Sequence, residues 1–588
     1  MTEAAEAGRI ADPMLMILKS GRSFPSFILA ALALALILTG CGSKGERQGT
    51  NTFYLNSTSE PNSLDPIQIS QQASWWIGNQ IYNGLVGLDA DMKPTPKIAR
   101  AWEVSPDGLV WTFHLRDDVR FCDDEAFDGG KGRTVTAEDV RYSFERVCAP
   151  GRSGGYWVFR DKVAGVNDFY ESRSDSAATA APIEHVAGFT VVDDTTFTIT
   201  LTEPYPPFLY MLTTPFCYIV PREAVEKYGD DFFRHPVGTG PFRLAEWKQA
   251  GQIVLEKNAN YFEKDEKGTQ LPYLDSVWMT FIGDPGTEFN EFEQGNLDLL
   301  TTIDPLFAAR LLNESGTELT QEFAGMTLHK QPGMSIEYYG FTLDTTTPAG
   351  KSSPFSRNVH LRRAINYAID REKIVHFVLN GLAAPAVHGP IPPSTPGFSG
   401  VEGYSFDPDR ARAELDSAGY PNGKGLDEIV LQVSNNARTA SVAEAVQEDL
   451  KKIGLNVSIK QVEHSSHLKM ADDGSIAFWR TSWLADYPHA ENFMANFYSP
   501  FKKPAGPNRS RYDNPTVDSL YRAALDPALD SAGQRDVYAR AERIVLDDAP
   551  WVFLYYSVVR HITQPWIEGY RADPLQLFDL TRVTKKAA

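Results

Sequence analysis

The chain has 588 residues, of which 42% are hydrophobic, 22% charged and 12% aromatic, close to the composition of folded globular proteins. Such a composition excludes a mostly disordered chain, a collagen, a coiled-coil rod and a multi-span membrane protein. The net charge of −20, with no Lys/Arg-rich run, leaves no basic face for nucleic acid; the acidity reads as a solvated surface.

Lys19 and Arg22 precede an apolar run from Phe24 to Leu38, interrupted only by Pro25 and Ser26. The run is shorter than the ~20 residues of a membrane-spanning helix. Its length and upstream positive charge are those of a signal-peptide core. It ends Leu38-Thr39-Gly40-Cys41, which resembles a bacterial lipobox. The resemblance implies cleavage before Cys41 and lipid attachment to its sulfur; an ordinary secretory signal is the alternative. Residues 42–50 read as a small, polar tether. Glu3, Glu6 and Asp12 are unusual in a signal n-region, so Met14 or Met16 is the expected start. In an oxidising compartment the remaining cysteines can pair. Cys122 and Cys148 bracket a polar insertion and are the disulfide candidates; Cys217 reads as a buried, small apolar residue.

Along the chain, strands and helices alternate irregularly. Trp111 to Arg116 alternates apolar and polar residues, the pattern of a half-buried strand, as does Phe197 to Leu201. Between them, Thr136-Ala137-Glu138-Asp139 opens a helical pattern carrying Val140, Phe144 and Val147. Asn358 to Leu379 reads as one long helix. Val442, Val446, Leu450 and Ile453 form an apolar stripe ended by Gly454, and Leu455 to Ile459 reads as the next strand. The sum is mixed α/β with two sheet-containing lobes and no internal repeat.

Catalytic and cofactor motifs are missing. There is no His-Glu-x-x-His, Gly-x-Ser-x-Gly or Cys-x-x-Cys. Lys131 in Gly129-Gly130-Lys131-Gly132 is followed by glycine where a phosphate loop needs Ser or Thr. Gly238-Thr239-Gly240-Pro241 lacks a third glycine and puts proline where a helix-start amide is needed. His464 and His467 are the closest His pair, without a third ligand nearby, and read as surface polar rather than metal-binding. We therefore expect no cofactor, no metal and no enzymatic activity, but binding.

Several blocks resemble the extracytoplasmic solute-binding proteins of ATP-binding-cassette importers, in particular the large family that binds oligopeptides and dipeptides. They are Glu60 to Pro66, Ile81 to Leu85, Pro96 to Phe121, Val237 to Phe242 with Trp247, Leu255 to Asn258 with Tyr261, Arg362 to Ile374, Asn508 to Asn514, Asp547 to Trp551 and Trp566 to Tyr570. The resemblance implies an α/β, two-lobed clamp with an extra subdomain in lobe 1 and a hinge between lobes. It places the signal peptide at 1–40, the tether at 41–50, lobe 1 at 51–335, lobe 2 at 336–550 and a C-terminal return to lobe 1 at 551–588. The implied protein is a monomeric, lipid-anchored binder in the periplasm or on the cell-envelope exterior. It delivers peptides to a membrane permease whose ATPase is a separate subunit.

A free peptide brings an ammonium, a carboxylate and unpaired amides, and burial of each requires a partner. Phe478 to Tyr487 resembles the family's ligand segment. By that resemblance Asp486 of the Ala485-Asp486-Tyr487 triplet meets the ammonium, Trp483 walls a side-chain pocket and Arg480 meets the carboxylate. Backbone from Ser482 to Leu484 would pair with an extended ligand as an added strand. Ser70 and Gln72 fall on the facing loop, where some oligopeptide binders have acidic and apolar residues. Tyr156 is expected to close over the ligand. Asp486 can instead be a helix cap or salt-bridge partner, Trp483 core, and Arg480 the partner of a residue in its own lobe. Other readings on the same fold are a binder of nickel chelates, glutathione, heme or sugars, and a peptide-sensing lipoprotein uncoupled from transport.

Overall fold

The computed structural model describes residues 51–174, 181–314 and 316–586. The signal segment, the tether and Cys41 lie outside the described residues. No helix among those described is long and apolar enough to cross a membrane.

Residues from Asn51 onward form one compact unit built on three apolar cores. The first gathers residues from Phe53 to Met279 with Ile567 to Val583. Its two four-stranded sheets are Thr52–Asn56, Ser276–Thr280, Gln252–Lys257 and Phe242–Lys248, and Ala99–Val104, Val110–Leu115, Thr196–Thr200 and Phe189–Asp193. The second gathers Met334 to Tyr556 around Thr327–Phe341, Phe478–Leu484, Ile429–Ser434, Val457–Val462 and Trp551–Thr563. A smaller third core holds Phe289, Phe292, Leu311, Phe323 and Ile562. The segment expected as a C-terminal return to lobe 1 is divided. Trp551–Tyr556 pack in the second core, Ile562 in the third, and the first core is reached at Ile567. The cause is strand pairing: Trp551–Thr563 runs antiparallel to Thr327–Phe341 over nearly its full length.

Local chemistry accounts for most elements. Helix Ala137–Cys148 starts where Asp139 accepts the Thr136 backbone N–H at 2.9 Å, and Arg133 clamps that Asp139 at 2.6 and 2.7 Å. Strand Val110–Leu115 shows the expected alternating burial. Helix Ala437–Lys452 ends before Gly454, whose φ of +89° and approach to the Asn422 carbonyl leave no room for a side chain. The long helix expected over 358–379 is broken. Val359–Ala368 ends at Ile369, and Asp370 caps a new start by accepting the Lys373 N–H at 2.9 Å. The buried Arg371 guanidinium holds the break, donating to the carbonyls of Asn366 and Ile369 at 3.0 and 3.2 Å.

The blocks that carried the resemblance lie at junctions. Arg146 grips Asp65 with two nitrogens at 3.1 and 2.8 Å, fixing the turn that Asp65 caps. Arg362 donates to the Asp548, Ala549 and Phe355 carbonyls. The Gly238-Thr239-Gly240 backbone lies against Ile81, and Gly240 N–H donates to the Ile81 carbonyl at 2.8 Å.

The expected Cys122–Cys148 disulfide is not present: Cys122, Cys148 and Cys217 are buried, free thiols. Cys122 is tied to the Gly238 carbonyl through its N–H at 2.9 Å, whereas Cys148 ends the helix that packs near Cys217. The insertion is closed by Asp123, which accepts Lys131 Nζ at 2.6 Å and the Gly132 N–H at 3.1 Å. Burial pushes the Cys122 and Cys217 thiols up to about 12, so neither is a thiolate at neutral pH. Thiol titration without reductant should find all three only after denaturation. A native mass 2 Da below the reduced mass would contradict this.

Candidate functional site

Strand Phe478–Leu484 is the centre of the site. On one side it pairs with Ser335–Phe341 along its whole length. On the other it pairs with Ile429–Ser434 only at Phe478 and Trp479. Beyond Trp479 that edge has no strand partner among the described residues; the Arg480 carbonyl accepts from Nε2 of His467, which is buried rather than on the surface, at 2.7 Å, and the backbone from Ser482 to Leu484 remains available for an added strand. Leu484, at the end, is 39% exposed.

Side chains of a strand alternate between faces, and two cavities open accordingly. Trp483, Asp486 and Tyr487 line one of about 530 Å³. Arg480 and Ser482 line another of about 610 Å³. Both volumes suit a small ligand. The proposed ligand residues are therefore divided between two chambers.

The Asp486 chamber is walled from both sides of the cleft. Trp157 stacks on Tyr487, with centroids 6.3 Å apart and planes 19° apart, and Arg160 donates to the Ala505 carbonyl at 2.7 Å. Asn492 organises the floor. Its Oδ1 accepts from Trp483 Nε1 at 3.0 Å and from the Asp486 N–H at 3.2 Å, and its Nδ2 faces Asp486 Oδ2 at 3.4 Å. Asp486 makes no ion pair among the described residues. Burial raises its pKa to about 6, against the Asn492 hydrogen bond and with the help of the nearby Glu491 charge. Glu491 is itself 1% exposed and accepts from the hydroxyls of Tyr487 and Tyr521. An unpaired carboxylate in an aromatic chamber can bind a cationic group, because a ligand ammonium supplies what its surroundings withhold.

The Arg480 chamber is polar. Arg480 Nε donates to Glu337, whose side chain is 8% exposed, so the guanidinium is partly engaged within its own sheet. Arg438, Arg560, Ser557 and the start of helix Ala437–Lys452 complete the wall.

The facing-loop residues lie at the margin. Gln72 Nε2 donates to Gln576 Oε1 at 3.2 Å, and Gln576 lines the Arg480 chamber. Ser70 is exposed and lines neither chamber. Tyr156 also lines neither: it stacks on Tyr170 at 4.2 Å and donates to Asn167 Oδ1 at 3.1 Å. Its neighbour Trp157 occupies the chamber instead. Asn492, Glu491, Arg438 and Arg560 escaped sequence reasoning. Glu491 and Asn492 had a local signal, as polar residues in the first turn after the Asp486 loop.

The model of the bacterial extracellular solute-binding proteins, family 5, matches residues 93–505. The chain belongs to this family. The periplasmic oligopeptide-binding protein OppA of Salmonella typhimurium is 28% identical over 94% of this chain and 96% of its own length. Heme-binding protein A of Haemophilus influenzae is 27% identical over 93% and 96%. The DppA periplasmic binding protein of Helicobacter pylori, solved in complex with the peptide STSA, superposes with a TM-score of 0.71 at 24% identity, covering 91% of this chain and 98% of that one. The family fold is the two-lobed clamp. Its members are solute-binding proteins. Among the described residues, no three His, Cys, Asp or Glu side chains form a group placed to hold a metal ion.

Proposed function

We propose that this protein captures short peptides between its two lobes and delivers them to the permease of an ATP-binding-cassette importer. The observation that carries the reading is Asp486, an unpaired carboxylate at the end of a strand whose edge is open. In this reading Asp486 meets the ligand ammonium and Trp483 and Tyr487 wall its first side chain. Ser482–Leu484 pair with its backbone, and Arg480 receives the carboxylate through the guanidinium nitrogens not engaged by Glu337. Backbone pairing gives affinity with little side-chain preference. Gln72 acts through Gln576, and Tyr156, held by Tyr170 and Asn167, precedes Trp157 in the chain.

The reading extends to the whole molecule. Lobe 1 is built on the first core and lobe 2 on the second. The paired strands Thr327–Phe341 and Trp551–Thr563 connect them, and their register shifts between Pro332 and Ile336 and between Glu337 and Tyr338 are places where the ladder can flex. A lipid on Cys41 tethers the monomer to a bacterial membrane, and the importer's ATPase supplies the energy.

A native mass spectrum of residues 42–588, purified gently from a bacterial periplasm, tests the reading. The expected result is a ladder of adducts spaced by amino-acid residue masses. One sharp adduct of non-peptide mass would overturn it in favour of a dedicated solute such as heme.

A further inference from the structure

The two chambers differ in charge balance. Four carboxylates line the Asp486 chamber, those of Asp161, Glu203, Asp486 and Glu491. Arg160, Lys162, Lys503 and Arg522 oppose them. The Arg480 chamber holds three guanidinium groups, those of Arg438, Arg480 and Arg560, against the single carboxylate of Glu337. An excess of two positive charges remains.

The three arginines are held differently. Arg480 shares Glu337. Arg438 is exposed at the first turn of helix Ala437–Lys452, which carries no acidic residue there, and its guanidinium lies 5.8 Å from the Tyr555 ring centre. Arg560 is 6% exposed. Its Nε and Nη2 donate to the carbonyls of Gly316 and Gly381 at 3.3 and 2.7 Å, and its Nη1 has no hydrogen-bond partner. Burial lowers its pKa to about 10, so it stays protonated at neutral pH. A buried cation without a carboxylate is unfavourable unless an anion completes it. Carboxylates are the anions a peptide supplies, and a guanidinium fork receives them with two parallel hydrogen bonds.

We propose that the Arg480 chamber selects peptides carrying a second anionic group, an acidic side chain close to the terminal carboxylate. This rests on the peptide reading above. One carboxylate leaves one of the two excess charges unmatched, and two bring the chamber to neutrality. The helix start at Asn436 to Thr439 adds a favourable dipole for the second anion.

The test is calorimetric titration with the peptides Ala-Ala-Glu and Ala-Glu-Ala, their glutamine counterparts, and Ala-Ala-Ala. At least one acidic peptide should bind about tenfold or more tightly than its amide, a difference of about 1.4 kcal/mol. Raising the salt concentration should narrow the gap. Arg438→Gln, a change at an exposed position, should reduce it to about twofold. Arg560→Gln is the less secure variant, because its guanidinium also ties two backbone segments. If Ala-Ala-Ala binds and no acid–amide pair differs by more than threefold, the inference falls while the peptide reading stands. If no peptide binds, both fall.

Discussion

Asp486→Ala should lower peptide affinity by about a hundredfold or more. Removing one partner of a buried ion pair typically costs about 3–5 kcal/mol, because the remaining charge is left unpaired, and 1.4 kcal/mol corresponds to tenfold in affinity. The ligand ammonium is that remaining charge, so an N-acetylated peptide should bind the unmutated protein equally poorly. The pH dependence is a second signature. The carboxyl has a pKa of about 6 in the ligand-free protein, and an ammonium beside it lowers that value. Binding then releases a proton below pH 6, and affinity should fall as pH drops through 6. It should level off above 6 until a peptide amino group deprotonates near pH 8. Stability carries the opposite sign. A carboxyl whose folded pKa lies above its unfolded value of 3.8 contributes stability at low pH that is lost as pH rises through 6. Asp486→Asn should therefore raise the urea midpoint of the ligand-free protein at pH 7 while abolishing tight binding. Unchanged affinity in the variant together with a flat pH profile would remove Asp486 from the site.

Gly240→Ala should destabilise the protein by at least about 3 kcal/mol, a magnitude reached when added atoms meet backbone that has no room to move. A Cβ built at Gly240 stands 2.4 Å from the Ile81 carbonyl carbon and 2.6 Å from the Gln80 carbonyl oxygen. Both neighbours are backbone, and the Gly240 N–H to Ile81 hydrogen bond holds the loop before strand Phe242–Lys248 against the end of helix Gln72–Ile81. Gly325→Ala is the control, because its Cβ would meet nothing within 4 Å. Urea unfolding of both variants checks the contrast. Equal midpoints would mean that the glycine at 240 is not required by close packing against Ile81.

That block shows what such motifs report. Gly238 and Gly240, Asp65 with Arg146, and Arg362 at the Asp548 carbonyl all hold junctions between segments distant in the chain. None lines either chamber. Their pattern identifies the scaffold and leaves the solute open. The Phe478 to Tyr487 segment is the exception, since its strand, its open edge and its terminal carboxylate belong to the candidate site proposed here. Its side chains divide between two chambers, with Arg480 and Ser482 on one face of the strand and Trp483 on the other.

Sequence alone determined what depends on neighbours in the chain: the cap at Thr136 and Asp139, the apolar stripe from Val442 to Ile453 and the stop at Gly454. Each follows from helix or strand periodicity and from local hydrogen bonds. Other features waited for the tertiary structure. The break at Asp370 depends on Arg371 reaching carbonyls beneath the turn. The free thiols follow from Cys122 being drawn to Gly238. The Asp486 carboxylate without an ion pair required knowing that no cation among the described residues reaches it. The positive excess around Arg480 depends on Arg438 and Arg560, which come from helix Ala437–Lys452 and strand Trp551–Thr563. Burial and charge balance are sums over side chains brought together by folding, and periodicity along the chain carries no record of them.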